Sequence, residues 1–388
     1  MMYAPNPEAC EGDAPAKEPL TARMIEDAAE WDAIRADWDC LYLASPTATP
    51  ALDFVWLRCW WQIYGPVYGA GGLRIVTLWR GRQLVGALPL YLDTAHVARC
   101  LRFISTGEAE YEETCPDYLN LLHLPGEEGA CARAAWAAVD AMQWDKLEFL
   151  DLPDDSPLLR WREAFAASAR LKIAPRGACP MADIGQGFEA YLAQLSSKSR
   201  KRARQEIRKV ERSGAVLEFA SEADAGRYFD DLILVHQHRW TADGWPGCFS
   251  APRFTEFHRC LVREWVGSGR AVLARLSYQG TPCVVLYGFV TGGKFDLYQQ
   301  GVQLVEKAAI HSPGAAANLL LMAHLAGRGV TCYDFLRGAS AFKESLTTTQ
   351  RLLSSLECRR RSVRVLLDQV LRLLARLRRR IVLRASHR

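Results

Sequence analysis

Phe295-Asp-Leu-Tyr-Gln-Gln-Gly301, a polar loop through His311, Ser312-Pro-Gly-Ala-Ala-Ala-Asn-Leu-Leu-Leu-Met-Ala-His324 and Thr331-Cys-Tyr-Asp-Phe-Leu336 read in order as strand, loop, helix and strand. Ser312 suits an N-cap, and Pro313 suits the first helical position because its missing N–H is one a helix start leaves free anyway. Gly314, Ala315 and Ala316 then present backbone donors with no large side chain in front, and the helix dipole adds partial positive charge. No Asp or Glu occurs from 307 through 333. The segment is suited to seating a phosphate, and it is equally how an ordinary helix begins.

Upstream, 271–277, Tyr278-Gln-Gly280 and 282–289 form strand, tight turn, strand. The same order appears earlier, where 73–79, Arg80-Gly-Arg82 and 84–90 make a hairpin whose Gly81 lies 199 positions before Gly280. Pro125-Gly126 precedes a helical run at 130–142 and a strand at 146–151, as Pro313-Gly314 precedes 315–326 and 331–336, at offsets of 188 for the Pro-Gly pair and 185 for the strand. A shared order at nearly constant offset predicts duplication of one α/β unit. In the first copy Glu127 and Glu128 stand where an anion would sit, so a diphosphate belongs to the second. The expected organisation is a flexible leader (1–20, with structure beginning near Met24), an N-terminal lobe (21–155), a connection (156–185), a C-terminal lobe (186–357) and an Arg-rich helix (358–388).

The 388 residues, 49% apolar and 24% charged, fit two or three globular domains and exclude a disordered or fibrous chain. The net charge of +4 conceals an asymmetry: 359–388 hold 11 Arg against Asp368 alone, so this tail carries +10 and the body −6. In the tail Val363, Leu366, Val370, Leu373, Leu377 and Ile381 share one helical face, with Arg361, Arg372, Arg376 and Arg379 opposite. That helix either lies on an anionic membrane or packs its apolar face on the body or a partner. A second basic run, Lys198 to Arg212, has eight basic residues against two acids and reads either as a phosphate-contacting surface or as a solvated helix face.

Twelve scattered cysteines with no CxxC pair give neither a zinc ribbon nor a redox pair; most read as small buried hydrophobes in a reducing compartment, and no metal is expected. The first 20 residues lack the basic and apolar regions of a signal peptide, and no run of ~18 apolar residues occurs. The expected location is cytoplasmic, with a peripheral position at the inner face of the plasma membrane if the tail binds lipid.

Tyr287-Gly-Phe289, Tyr298-Gln-Gln-Gly301, Ser312-Pro-Gly314 before a helix, Tyr333-Asp-Phe-Leu-Arg-Gly338 and Phe342-Lys343 resemble the GNAT-superfamily acetyltransferase-like domain of FemAB-like and CelD-type (cellulose-biosynthesis) bacterial proteins. His236-Gln-His-Arg-Trp240 with Gly244-Trp-Pro-Gly247 is similar to the same family. The match covers 185–357; the first half enters through the internal repeat. The resemblance implies an α/β (α+β) chain of tandem GNAT-like lobes, each a mixed twisted sheet flanked by helices, with the C-terminal basic amphipathic helix appended. It further implies an acyl-CoA donor, acetyl-CoA foremost, with its diphosphate at Ser312, Pro313, Gly314, Ala315 and Ala316 and its acyl arm beside Tyr298 to Gly301.

Direct attack of an acceptor amine or hydroxyl on the thioester needs a base, oxyanion donors and a proton for the leaving thiolate. Asp334 is a candidate base or a carboxylate paired with Arg337 or Lys343; Tyr298 is a candidate acid for the thiolate or a core tyrosine; His238 is a possible acceptor-side base or part of a polar helix face. Arg337 and Lys343, with Arg239 and Trp240, are candidates for holding the acceptor. The expected function is acyl transfer to an amine or hydroxyl of a cell-envelope saccharide or precursor. Two alternatives stand beside it: a tRNA-dependent aminoacyl ligase of the FemAB kind, since the usual GNAT glycine loop is absent, and a non-catalytic scaffold of a polysaccharide-synthesis complex.

Overall fold

The computed structural model describes residues 18–161, 169–305, 310, 312–338, 340–371 and 373–374. The leader through residue 17, Cys10, His311, Arg372, Arg376, Leu377, Arg379 and Ile381 lie outside them. In chain order the elements are β1 (Leu20–Ile25), α1 (Ala28–Ala33), α2 (Arg35–Ala44), α3 (Phe54–Tyr68), β2 (Ile75–Arg80), β3 (Gln83–Leu88), β4 (Leu90–Asp93), β5 (Cys100–Phe103), β6 (Leu122–His123), α4 (Glu128–Ala141) and β7 (Lys146–Pro153). There follow β8 (Ala169–Asp183), α5 (Phe188–Gln194), α6 (Ser197–Ser213), β9 (Val216–Phe219), α7 (Ala225–Ala242), α8 (Pro252–Trp265) and β10 (Ala271–Tyr278). The chain continues through β11 (Thr281–Thr291), β12 (Lys294–Val302), α9 (Pro313–Ala326), β13 (Cys332–Asp334), α10 (Ala341–Leu346) and β14 (Thr349–Arg360). The first described strand starts at Leu20 rather than near Met24, and β1 pairs antiparallel along the whole of β2.

The duplication is visible in detail. Both hairpins turn on a left-handed glycine, Gly81 and Gly280. Each slips register at the same place, between Leu78 and Trp79 and between Leu276 and Ser277. Each copy then makes a short parallel ladder across its helix: β5 with β7 from Cys100↔Lys146, and β12 with β13 from Lys294↔Cys332. At the first helix Glu127 occupies the N-cap position, and its carboxylate pairs with Arg80 at 2.7 Å.

The lobes do not keep separate sheets. A four-stranded sheet runs β1-β2-β3-β6, and a ten-stranded one runs β4-β5-β7-β14-β8-β13-β12-β11-β10-β9, so strands of both copies share one mixed sheet. Residues 156–185, expected as a connection, include the 15-residue β8, which pairs along its length with β14 and at its end with β13. A strand reads as a linker when neither face carries a clean apolar alternation, and Lys172, Pro175, Arg176 and Pro180 interrupt it here.

Packing also joins the halves. Trp56 of α3 is buried among second-half rings: Phe257 at 5.0 Å, Phe289 at 5.5 Å, Tyr298 at 5.9 Å and Trp265 stacked at 6.3 Å. Each such pair contributes ~0.5–1.5 kcal/mol beyond area burial. Cys59 of α3 is disulfide-bonded to Cys260 of α8, a pairing across 201 positions that spacing did not reveal. Cys100, Cys131, Cys179, Cys283 and Cys358 are the small buried thiols expected. No helix among the described residues is long and apolar enough to cross a membrane.

Candidate functional site

The site begins where two strands part. β12 and β13 pair only from Lys294 to Asp296, and beyond that β13 cannot continue because Leu336 is left-handed at φ 55°. A β-region strand cannot pass through that conformation, which is costly for a non-glycine residue. It is held by surrounding bonds: Leu336 N–H donates to Asp334 Oδ1 at 2.8 Å, Arg337 N–H to Asp117 Oδ2 at 2.8 Å, and Lys343 Nζ to the carbonyls of Phe335, Leu336 and Arg337 at 2.7–3.3 Å. A register shift at Tyr287/Gly288 leaves Tyr298 as an extra residue, a bulge that re-aims β12 at the point of divergence.

The gap is a cavity of about 620 Å³. β12 supplies Leu297 to Gln300, the start of α9 supplies Ser312 to Ala315, and Phe335 to Arg337 with Phe342 and Lys343 form the far wall. Arg202 of α6 and His236, Arg239 and Trp240 of α7 close it. Ser312 stands at the N-cap position without a side-chain cap bond, no acid occupies the first turn, and Ala316 N–H already bonds Ser312 O. The N–H groups of Gly314 and Ala315 find no partner among the described residues and line the cavity. Gln300 adds a donor: Asn318 Nδ2 bonds its Oε1 at 2.6 Å, so its amide nitrogen turns to the helix start, 2.9 Å from where a Cβ on Gly314 would be. Backbone donors, an amide and the Arg202 guanidinium suit a diphosphate; the unpaired β12 edge suits an extended amide-bearing arm.

The expected residues divide. Ser312, Pro313, Gly314, Ala315, Tyr298, Arg239, Trp240, Arg337 and Lys343 all line the cavity. Ala316 is buried behind it. Gly301 does not line it; its missing side chain lets α7 lie against β12. Asp334 is wholly buried outside the cavity, with Oδ2 taking Tyr118 Oη–H at 2.6 Å and Lys294 Nζ at 3.2 Å, so it serves the wall and cannot reach an acceptor. Its partner is Lys294, neither Arg337 nor Lys343. Burial opposes the charge on Lys294, but Asp296 and Asp334 together raise its pKa. Arg337 is tied to Asp117 at 3.4 Å and Asp151 at 2.8 Å, and Lys343 to three carbonyls, so both build the wall rather than offer free charge. Burial lowers the Lys343 pKa.

His238 is exposed and does not line the cavity. His236, two positions earlier and on the opposite side of α7, is buried in the cavity wall, and burial lowers its pKa so that the ring is neutral. Its Nδ1 lies 3.2 Å from Gln237 Oε1 and its Nε2 3.8 Å from Cys248 Sγ. The spacing Phe229, Leu232, His236 marks it as a core-face residue and was the available signal.

Tyr298 donates its hydroxyl to Thr114 O at 2.6 Å, and His258 Nε2 lies 3.0 Å from that hydroxyl. Burial pushes the His258 pKa down to about 3 and the Tyr298 pKa well up. A neutral His258 therefore donates to Tyr298 and accepts from Tyr287 Oη–H at 3.4 Å. Thr114, Asp117 and Asp151, all from the first half, thus fix second-half residues of the site; no sequence signal connects positions so far apart.

Strands that part beside a helix start leave a cleft suited to an extended, anionic ligand. Residues 197–344 match the family profile of the acetyltransferase (GNAT) domain. The match is confined to that stretch of the second half, which has the fold of a GNAT acetyltransferase-like domain. The structure is similar to FemX (TM-score 0.56, 11% identity, 82% of this chain and 95% of that one). It is also similar to a conserved protein of unknown function from Bacteroides thetaiotaomicron (0.52, 12%, 88% and 100%). A third likeness is the C-terminal domain of a candidate lysylphosphatidylglycerol synthetase from Agrobacterium fabrum (0.52, 12%, 87% and 96%). No curated protein matches the sequence.

Proposed function

We propose that the protein transfers an acyl group from acyl-CoA, acetyl-CoA foremost, to an amine or hydroxyl of a cell-envelope saccharide or its precursor. The observation that supports this reading is the parting of β12 from β13 beside the amides of Gly314 and Ala315, which have no partner among the described residues. In this reading Gly314, Ala315, Gln300 and Arg202 hold the diphosphate, and the open edge of β12 aligns the arm. His236 takes the proton as the acceptor nitrogen or oxygen bonds to the thioester carbon; the carbon–sulfur bond then breaks, and the proton held by His236 passes to the thiolate. Tyr298 shapes the wall, its hydroxyl being given to Thr114. Arg239 and Trp240 face the acceptor. The region from 186 to 357 is the transferase unit, and the first half supports the cleft from behind, through Thr114, Asp117 and Asp151.

Isothermal titration with acetyl-CoA and longer acyl-CoAs tests the reading: saturable heat that Ala315→Glu abolishes supports it, and no heat with any acyl-CoA sinks it. One observation favours a second reading, a tRNA-borne aminoacyl donor: Arg202 projects into the cavity from the otherwise exposed basic face of α6. RNase sensitivity of the transfer, with indifference to CoA depletion, would select it.

A further inference from the structure

β14 leaves the sheet at Arg360 and the chain enters a helix at 363. Its start is fastened to the body. Ser362 Oγ donates to Asp145 Oδ1 at 3.0 Å, Arg360 pairs with Asp140 at 2.7 Å and lies 4.0 Å from the Trp144 ring centroid, and Asp368 meets Lys146. Val365 and Asp368 point inward and are buried. That orientation decides the opposite face. Val363, Leu366, Leu367, Val370, Leu371 and Leu374, stepping by three and four, are 50–71% exposed. An apolar stripe of this length on a soluble surface marks an interaction site.

A cavity of about 480 Å³ runs beside the stripe, lined by Arg170, Arg359, Arg360 and Arg361 together with Ser362, Val363, Val365, Leu366 and Gln369, and by no carboxylate. Arg359 and Arg360 have acidic partners; Arg170 and Arg361 have none among the described residues. Across 359–388 the sequence holds 11 Arg and one acid, and that acid is the one turned inward onto Lys146. Among the described residues of 359–374 the outward side chains are therefore apolar, cationic or neutral, with no acid. A second copy of this chain would bring the same positive charge against it, which opposes self-pairing.

We propose that residues 359–374 dock the protein onto an anionic phospholipid surface. The Val363–Leu374 stripe enters the acyl boundary, and the arginine-lined cavity takes a headgroup phosphate, as a planar guanidinium does well. Both parts of the surface are satisfied at once by a lipid layer, whereas nucleic acid would leave the stripe in water. This inference is independent of the acyl donor.

The test uses the full chain with phosphatidylcholine vesicles and with vesicles containing phosphatidylglycerol. Co-sedimentation is expected only with the anionic vesicles and should fall as salt rises. Leu366→Asp with Val370→Asp should reduce it at least tenfold, and Arg170→Ala and Arg361→Ala each about fivefold. Far-UV circular dichroism and urea midpoints keep loss of fold separate from loss of docking. Equal binding to both vesicles, or indifference to the stripe substitutions, overturns the proposal. So does a dimer dispersed by those substitutions, or complete competition by free glycerol phosphate.

Discussion

A Cβ on Gly301 would lie 3.0 Å from the backbone nitrogen of His236. The strand and helix touch at that glycine, and the contact sets how deeply His236 reaches the cavity wall. Gly301→Ala should move α7 outward, destabilise the protein by ~1–3 kcal/mol and lower kcat while leaving acyl-CoA affinity nearly unchanged. Titration calorimetry beside steady-state kinetics checks it.

His236→Gln should lower kcat by ~10²–10⁴, the usual contribution of a positioned base, whereas His238→Gln should stay within about twofold. Because burial holds the His236 pKa below that of a free histidine, the acidic limb of the wild-type kcat/KM profile should fall below about pH 6.5. That limb should vanish in His236→Gln.

Ala315→Glu should weaken acyl-CoA binding at least tenfold by placing a carboxylate among the donors, and Arg202→Ala should weaken it by ~1.5–3 kcal/mol of charge-assisted hydrogen bonding. Both residues stand in the cavity wall. Dissociation constants for acetyl-CoA provide the readout, and an unchanged Arg202→Ala value would place the diphosphate elsewhere.

Asp334→Asn should act on stability. It leaves a buried Lys294 with Asp296 as its remaining carboxylate and weakens the hold on Leu336, at a cost of ~3–5 kcal/mol if the pair behaves as buried pairs do. Urea unfolding measures it; a stable variant devoid of turnover would restore Asp334 as a base.

His258 makes stability depend on acid. Its folded pKa of about 3 lies below the ordinary 6.5, so protonation favours the unfolded chain. Its contribution is complete above about pH 6.5 and declines toward pH 3 by ~1.4 kcal/mol per unit. His258→Gln should be less stable at neutral pH yet lose less between about pH 6.5 and 4.5. Urea midpoints across that range test the slope.

Local signals were legible where they depend on neighbours along the chain. Gly81 and Gly280 marked two turns, Pro313-Gly314 marked a helix start, and the absence of acids from 307 to 333 marked an open amide cluster. His236 lines the cavity and His238 does not, a division the sequence hides because the two are equally polar in composition and only the buried side of α7 separates them. Asp334 looked available for chemistry because its true partner, Lys294, is brought to it by strand pairing across 40 positions.

The sequence by itself determined the repeated α/β unit, the site-bearing copy and the opposed faces of the tail, since turn residues, periodicity and charge act over a few residues. Only the tertiary structure decided that both copies share one sheet, that Thr114, Asp117 and Asp151 hold the cavity wall, and that the tail's apolar face looks outward. Those outcomes depend on which buried charges and rings find each other across more than a hundred positions, and the competition is settled by burial of the whole chain at once.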